Sequence, residues 1–357
     1  MTDLAQDLAR RIAATGPLGL DAFMAACLFD PERGYYTTRE VFGRAGDFTT
    51  APEISQMFGE LVGLALAQGW LDQGRPAPSV LAELGPGRGT LMRDALRATG
   101  RVPGFHVATH LHLLEASPRL RDLQRAALGN HEAVWIGGIA DLPHAPLFLI
   151  ANEFLDALPI RQFRRDGAGW REREVALSSG RLAFDFAQPG PVPALDHRLG
   201  DTEPGEIVEL CPALPGIVAR IAGQIADRGG LALVIDYGDW RSRGDTLQAV
   251  QDHRFADPLA APGRADLTAH VDFEAVAAAA QAAGAAVTPM TPQGVWLERL
   301  GITERARALA AHIRDESALA SHVAAHRRLT HPEEMGSLFK VIGIHSPETP
   351  LPPGFAT

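Results

Sequence analysis

Residues 80–90, VLAELGPGRGT, form the stretch from which the fold of this chain can be argued. It opens with an apolar run at 80–82, which predicts a buried strand, and glycine then occupies every second position: Gly85, Gly87 and Gly89. Residues 90–98 continue with apolar side chains on one helical face. A strand, a glycine turn and a helix bring a ligand close to backbone amides at a helix N-terminus. The stretch predicts a nucleotide-type binding turn, although a tight turn without a ligand would use the same residues.

Strand and helix patterns alternate on both sides of this turn. Seven strands are predicted at 80–84, 110–115, 133–136, 147–151, 231–236, 285–290 and 337–345. Helices are predicted at 51–73, 90–98, 118–128, 204–227, 273–283 and 294–328. Because several strands are apolar throughout, the pattern indicates an α/β fold with a mainly parallel sheet covered on both faces.

The organisation outside the sheet suggests four further regions. Residues 1–75 form an N-terminal helical and flap region ahead of an α/β domain at 76–357. Within that domain, 160–210 shows alternating segments separated by glycine turns and is predicted to be a β-hairpin insertion. A helical insertion is predicted at 294–328, and 245–266 is predicted to be irregular.

Composition excludes several classes of protein. The chain has 357 residues, 46% of them apolar, with a net charge of −10, which argues against a general nucleic-acid binder. No apolar run has the length of a membrane span, so no membrane insertion is expected. Cys27 and Cys211 form no CxxC pair, so no metal site is expected. The N-terminus has no apolar signal core, and we expect a cytoplasmic protein.

Two kinds of ligand suit the turn. Dinucleotide sites use GxGxxG, whereas here the glycines fall as GxGxG, Thr90 takes the position of the third dinucleotide glycine, and Glu83 precedes them. This pattern favours S-adenosyl-L-methionine (SAM) over NAD, although a dehydrogenase stays an alternative. Glu115 ends the second strand and can accept hydrogen bonds from ribose hydroxyls in either case. Asp141 is placed to meet an adenine amino group, or else is a helix cap or a solvated loop acid.

Acidic residues also follow the fourth strand, in ANEFLDALP at 151–159. Glu153 and Asp156 could hold a cationic acceptor such as a guanidinium, which presents donors that suit carboxylates. Alternatively, Asn152 could cap a helix and the two acids could favour its dipole. His270 could remove a proton from the acceptor, or could be a capping or core histidine.

Several longer motifs resemble the MidA-like family of SAM-dependent methyltransferases. They are GDFTTAPEISQMFGE (46–60), ELGPGRGTLMRDALR (83–97), LLEASPRL (113–120), ANEFLDALPIRQF (151–163), VIDYG (234–238), DLTAHVDF (266–273) and MGSLFKV (335–341). The resemblance spans nearly the whole chain. It implies a class I methyltransferase fold, a Rossmann-like seven-stranded sheet whose late strand at 337–345 is antiparallel.

The resemblance also implies a function. The family includes a mitochondrial assembly factor of respiratory complex I that methylates protein arginine, so the expected acceptor is an arginine of a complex I core subunit. A non-catalytic assembly chaperone is the alternative, and the oligomeric state is left open. The predicted catalytic residues are Glu153, Asp156 and His270. The predicted cofactor-binding residues, of which 46–53 would form a flap, are Gly46, Asp47, Phe48, Thr50, Glu53, Glu83, Gly85, Gly87, Gly89, Glu115, Asp141 and Asn152.

Overall fold

The computed structural model describes residues 3–38, 50–167 and 169–356. Its helices are α1 (Asp3–Thr15), α2 (Leu20–Phe29), α3 (Tyr35–Thr38), α4 (Ala51–Ile54), α5 (Gln56–Asp72), α6 (Thr90–Thr99), α7 (Phe105–Ala108), α8 (Pro118–Leu128), α9 (Leu214–Arg228), α10 (Phe273–Ala282), α11 (Gln293–Arg299), α12 (Ile302–Ala310), α13 (Glu316–Thr330) and α14 (Met335–Leu338).

The strands of the described residues are β1 (Leu18–Gly19), β2 (Ser79–Leu84), β3 (Thr109–Leu114), β4 (Ala133–Ile136), β5 (Leu147–Asn152), β6 (Arg161–Asp166), β7 (Gly169–Ser178), β8 (Arg181–Phe186), β9 (Ile207–Leu210), β10 (Gly230–Asp239), β11 (Gln248–Gln251), β12 (Arg254–Ala256), β13 (Asp266–Thr268), β14 (Val271–Asp272), β15 (Ala286–Val287), β16 (Thr291–Pro292) and β17 (Phe339–His345).

The chain divides into two compact units. The sheet unit comprises Thr49–Leu155, Pro215–Trp240 and Asp272–Thr357. The insertion unit comprises the described part of Met1–Phe48 with Asp156–Leu214 and Arg241–Val271. The predicted hairpin insertion therefore lies largely in the second of these units, and the predicted helical insertion lies in the first.

The sheet unit contains the α/β sheet that the sequence predicts. Its strand order is β15-β17-β10-β5-β2-β3-β4, with β2, β3, β4, β5 and β10 parallel to one another and β17 antiparallel to β10. Every residue of β2 and of β5 is buried, as expected for strands covered by helices on both faces. The seven-stranded sheet with a late antiparallel strand is confirmed.

Close packing of two helices positions the glycine turn. A Cβ on Gly59 of α5 would lie 2.9 Å from the Asp94 side chain, and one on Gly63 would lie 2.6 Å from Ala95. Glycine therefore allows α5 to approach α6 more closely than larger residues would. Because α6 begins directly after the turn, this contact sets where its N-terminus lies against β2.

The insertion unit is built on antiparallel strands. β7 pairs with β1, β6 and β8, and β6 also pairs with β9, while β11 joins β12 and β13 in a smaller sheet. Its core contains apolar residues of α1 and α2, among them Leu8, Phe23 and Leu28, packed with Val175 of β7 and Leu267 of β13. The hairpin pattern between 160 and 210 is confirmed as antiparallel sheet.

Three sequence expectations about elements are wrong. Residues 207–210 do not continue a helix from 204; they form β9, which pairs with β6 and buries Val208 opposite Phe163. The helix predicted at 51–73 is interrupted at Ser55, whose backbone is extended. The Ser55 side chain caps α5 by accepting a hydrogen bond from Met57 N. The segment 245–266 is not wholly irregular, because it contains β11 and β12 and ends at the first residue of β13.

The strand predicted at 285–290 is shorter than expected. Only Ala286–Val287 pairs with β17 in regular register, and Thr288 extends the contact through its amide and its hydroxyl. Pro289 has no amide hydrogen to continue the ladder. Pairing with β17 resumes at Thr291–Pro292.

Candidate active site

The glycine turn after β2 requires its glycines. Gly85, Gly87 and Gly89 have φ of 62°, 51° and 79°, in the left-handed region that L residues rarely adopt. A Cβ on Gly85 would lie 3.0 Å from the Phe154 ring. The turn leads directly into α6, with Gly89 as its N-cap residue. Backbone amides at a helix N-terminus are thus placed at the carboxyl end of β2, where open α/β sheets bind ligands.

A buried glutamine of α8 ties this turn to the next strand. Gln124 is fully buried, and its Nε2 lies 2.7 Å from Gly87 O and 3.1 Å from Glu115 Oε2. Its Oε1 accepts a hydrogen bond from Trp135 Nε1 at 2.7 Å. One side chain thus holds the turn, the acid after β3 and a residue of β4 in fixed relation. The sequence analysis missed Gln124, because α8 carried no motif of its own beyond helical periodicity.

Glu115 lies at the carboxyl end of β3, and its contact with ribose hydroxyls stays a prediction. It follows the last residue of β3, and its Oε1 accepts a hydrogen bond from Ser117 N at 2.8 Å. Burial raises the pKa of Glu115, while the hydrogen bonds from Ser117 and Gln124 act in the opposite direction. The carboxylate is therefore oriented by two donors of this chain at the edge of the sheet.

Glu83 is the more unusual of the two acids. It is 3% exposed, and its Oε2 has no hydrogen-bond partner among the residues that the structure describes. Burial, followed by the nearby charge of Glu115, raises the pKa of Glu83 to about 8. The group is therefore mainly a neutral carboxylic acid at pH 7, with a hydrogen to donate and an oxygen that can accept.

The segment that precedes α5 contacts the start of α6. Glu53 accepts a hydrogen bond from the Thr90 hydroxyl, and both residues line a cavity of about 430 Å³ together with Arg88 and Arg93. Thr50 stands at the N-cap of α4 without a side-chain capping bond. The predicted flap residues Gly46, Asp47 and Phe48 lie outside the described residues.

Asp141 occupies a turn after β4. Its Oδ2 accepts hydrogen bonds from Gly137 N at 3.1 Å and Gly138 N at 2.9 Å, and the residue is exposed. Asp141 is the last residue of the 3₁₀ helix Ile139–Asp141 and accepts from the amide of its N-cap residue, which agrees with the helix-cap alternative. Contact with an adenine amino group stays a prediction.

The end of β5 has a fixed arrangement of side chains. Asn152 Nδ2 donates to Glu153 Oε1 at 3.3 Å, and the same oxygen accepts from Ala51 N at 3.1 Å. Asp236, fully buried within β10, accepts hydrogen bonds from Phe154 N and Leu155 N at 3.2 and 3.0 Å. Residues 153–159 form bends and a turn, and no helix begins among them. The helix-cap interpretation of Asn152, Glu153 and Asp156 is therefore wrong.

Asp156 and His270 both belong to the insertion unit. Asp156 O accepts a hydrogen bond from Ala269 N at 3.0 Å, which places the backbone before His270 beside this acid. His270 N donates to Thr246 Oγ1 at 2.8 Å. The structure therefore brings the polypeptide around these two predicted residues together, although they are more than a hundred positions apart in sequence.

A tyrosine and a second aspartate lie in the same region, and the sequence analysis did not include them in the site. Tyr36 OH donates to Asp266 Oδ1 at 2.9 Å. Burial, then the charges of Asp266 and Asp156, raise the pKa of the Tyr36 phenol well above its ordinary value. These groups form a buried acidic environment, with Asp156 7% and Asp266 5% exposed.

Comparison with known proteins identifies the family. Residues 61–291 match the family described as "Putative S-adenosyl-L-methionine-dependent methyltransferase". The chain belongs to this methyltransferase family, known as MidA-like. It is 34% identical to protein arginine methyltransferase NDUFAF7, mitochondrial, of Danio rerio, over 94% of this chain and 85% of that protein. It is 33% identical to the Homo sapiens protein of the same name, over 96% of this chain and 83% of that protein.

A solved structure supports the same family. A Burkholderia thailandensis protein, crystallised with S-adenosylhomocysteine, is 30% identical to this chain and superposes with a TM-score of 0.84. The match covers 98% of this chain and 93% of the other. The MidA-like enzyme described here is a SAM-dependent methyltransferase, and its cofactor is SAM.

The residues of the sheet unit fit such a cofactor. Glu83 Oε2 is a buried polar atom without a hydrogen-bond partner among the described residues, and it lies near the carboxyl end of β2. Gly85 and Gly87 keep the turn free of side chains, and Glu115 would hold the ribose hydroxyls. Bound SAM supplies a methyl group activated by its sulfonium. The protein contributes the position and surroundings of that group.

Replacing Gln124 by methionine tests its role in this MidA-like enzyme. The change keeps the length of the side chain but makes it apolar, so the hydrogen bonds to Gly87, Glu115 and Trp135 are removed. We expect the free energy of unfolding to fall by about 2–4 kcal/mol, because three buried groups lose a partner. S-adenosylhomocysteine should bind about tenfold more weakly, because the turn and Glu115 are no longer held in place. Such a change corresponds to about 1.4 kcal/mol of binding free energy. Urea unfolding and titration calorimetry measure the two effects.

Gln224 offers a matched control in the same unit. It is 2% exposed and donates to Pro143 O and Ala145 O, away from the glycine turn. Gln224→Met should lower stability and leave the affinity for S-adenosylhomocysteine unchanged. Equal weakening of ligand binding in both variants would show that Gln124 acts through general stability alone.

Proposed function

We propose that this chain transfers methyl groups from SAM to the side chain of an arginine in a protein. The observation that carries the proposal is the 34% identity, over 94% of this chain, to a protein arginine methyltransferase. The proposed acceptor is an arginine of a core subunit of respiratory NADH:quinone oxidoreductase, and the proposed product is a dimethylated arginine that aids assembly of the complex. A cytoplasmic location stays a prediction, to be checked by fractionation.

The buried acids support a cationic acceptor. A guanidinium presents five N–H donors in a plane and stays protonated at neutral pH, so it pairs well with carboxylates. Asp156 and Asp266 are buried acids of the insertion unit. Methyl transfer by displacement needs little acid–base chemistry before the attack, and alignment of nitrogen, methyl carbon and sulfur provides most of the rate.

Transfer of labelled methyl groups tests the proposal. The purified chain is incubated with radiolabelled SAM and the recombinant core subunit from the same organism. We expect label on one arginine of that subunit, located by mass spectrometry, and no label when the Gly87→Val variant replaces the wild-type chain. Label on another cellular protein would retain the enzyme and reject the acceptor. Binding of S-adenosylhomocysteine without methyl transfer to any cellular protein would favour a non-catalytic assembly chaperone.

A further inference from the structure

Asn152 presents an acceptor atom that the protein itself does not use. The residue is 8% exposed, and its Oδ1 has no hydrogen-bond partner among the described residues. An amide oxygen buried in this way costs about 1–3 kcal/mol unless a ligand or water provides a donor. The end of β5 therefore contains a position that fits an N–H group from outside the chain.

The orientation of this amide is determined by its neighbour. The Asn152 Nδ2 group donates to Glu153 Oε1, and a carboxylate oxygen can only accept, so the amide cannot be turned over without losing that bond. Glu153 is held in turn, because the same Oε1 accepts from Ala51 N and its own amide donates to Ile235 O at 2.9 Å. Glu153 also has φ of 50°, a conformation uncommon for a residue with a side chain. The surrounding contacts thus keep Oδ1 in one position.

The sheet order indicates which ligand meets this oxygen. β2 lies between β3 and β5, so the turn after β2 separates Glu115 on one side from Asn152 on the other. With its ribose at Glu115, a cofactor would lie across the turn and would direct its methyl group toward the β5 side. Asn152, on the side of the turn opposite Glu115, would then face the methyl acceptor.

We infer that Asn152 Oδ1 accepts a hydrogen bond from the nitrogen that is methylated, and that Glu153 is a positioning residue that orients the Asn152 amide. This inference deepens the proposed function and rests on it for the arginine acceptor. The acceptor nitrogen forms a bond to the methyl carbon as the carbon–sulfur bond breaks and sulfur keeps the electron pair. The nitrogen then loses a proton to water. Its N–H groups become more acidic as the bond forms, so the hydrogen bond to Oδ1 strengthens toward the transition state.

Variants of the two residues separate an acceptor role from a cofactor role. Asn152→Ala should lower kcat for methylation of the core subunit by about 10²-fold, as expected when one hydrogen bond to the transition state is removed. Its Kd for S-adenosylhomocysteine should stay within about twofold of wild type, a change below 0.5 kcal/mol. A tenfold weaker Kd with unchanged kcat at saturating SAM would assign Asn152 to the cofactor and overturn the inference.

Glu153 has a matched pair of variants. Glu153→Ala removes the oxygen that orients Asn152 and should lower kcat roughly tenfold or more through misplacement of the acceptor. Glu153→Gln keeps an oxygen that can accept from both Asn152 Nδ2 and Ala51 N, so most of kcat should return while KM for the core subunit changes little. Equal loss in both variants would mean that Glu153 contacts the acceptor through its charge and does not act by positioning.

A small probe makes the test independent of the protein acceptor. In the wild-type chain labelled with ¹⁵N-asparagine and saturated with S-adenosylhomocysteine, N-methylguanidinium should shift the side-chain amide signal that is missing from Asn152→Asp. A shift produced by S-adenosylhomocysteine alone, with no further change on adding N-methylguanidinium, would reject the inference. If the probe shifts the signal but the core subunit is not methylated, the proposed acceptor protein is wrong and the role of Asn152 stands.

Discussion

Replacing Gly87 by valine should abolish cofactor binding. Gly87 has φ of 51°, in a region that a β-branched residue enters only with difficulty, so either the turn rearranges or strain of about 1–2 kcal/mol is stored. Gly87 O also receives the hydrogen bond from Gln124, so a rearranged turn would release the side chain that orients Glu115. The valine side chain would in addition occupy space beside the backbone that the ligand approaches. We expect no increase in melting temperature with S-adenosylhomocysteine, where the wild-type chain should show one.

Gly129 serves as the control for backbone strain. It has φ of 61°, and nothing lies within 4 Å of a Cβ built on it. Gly129→Val should therefore have a comparable cost in stability without contact with the turn, and should bind S-adenosylhomocysteine like the wild-type chain. Unchanged affinity in Gly87→Val would mean that this turn does not approach the cofactor and would contradict the site described above.

Replacing Glu83 by glutamine should stabilise the protein at high pH. Burial, then the charge of Glu115, raises the pKa of Glu83 from an ordinary value of 4.5 to about 8 in the folded chain. Between these two values the unfolded state is ionised while the folded state binds a proton. The free energy of unfolding therefore falls as pH rises, by about 1.4 kcal/mol per pH unit from this group. The loss is complete above pH 8, where the folded state must bury the charge.

Glutamine resembles the neutral acid and does not titrate. We expect Glu83→Gln to gain about 2 kcal/mol relative to the wild-type chain between pH 6 and pH 8, measured by urea unfolding at both pH values. Glu115→Gln should lower the pKa of Glu83, because it removes the second cause of the shift. In the same assay, the free energy of unfolding of this variant should therefore depend less on pH than that of the wild-type chain. A constant difference between Glu83→Gln and wild type across this range would show that Glu83 is ionised in the folded protein.

The order of elements in the sheet unit could be predicted from the sequence. The glycine turn, the apolar strands and Glu115 are local patterns: alternate glycines require left-handed backbone, and a run of apolar residues requires burial on both faces. The observed bounds of α8 and β4 match the predicted ones. β9 was mistaken for helix because a four-residue segment is too short to show a period of its own, and its pairing with β6 decided its structure.

The roles of single side chains depended on contacts that local patterns do not contain. Gln124 bonds to Gly87 from 37 positions away, and Asp236 accepts from Phe154 N across 82 positions. Tyr36 and Asp266 are joined across 230 positions. Such pairs form only when separate elements pack together, so the sequence could name the acids of the site but could not tell which of them are hydrogen-bonded within it.

The sequence by itself determined that residues 80–90 make a glycine turn between a strand of a parallel sheet and a helix, because backbone conformation at alternate glycines and burial of apolar strands are properties of short segments. Only the tertiary structure decided what the side chains around that turn do. Whether Glu83 is charged depends on how deeply it is buried beside Glu115. Which atom Asn152 offers to a ligand depends on where Glu153 is held by Ala51.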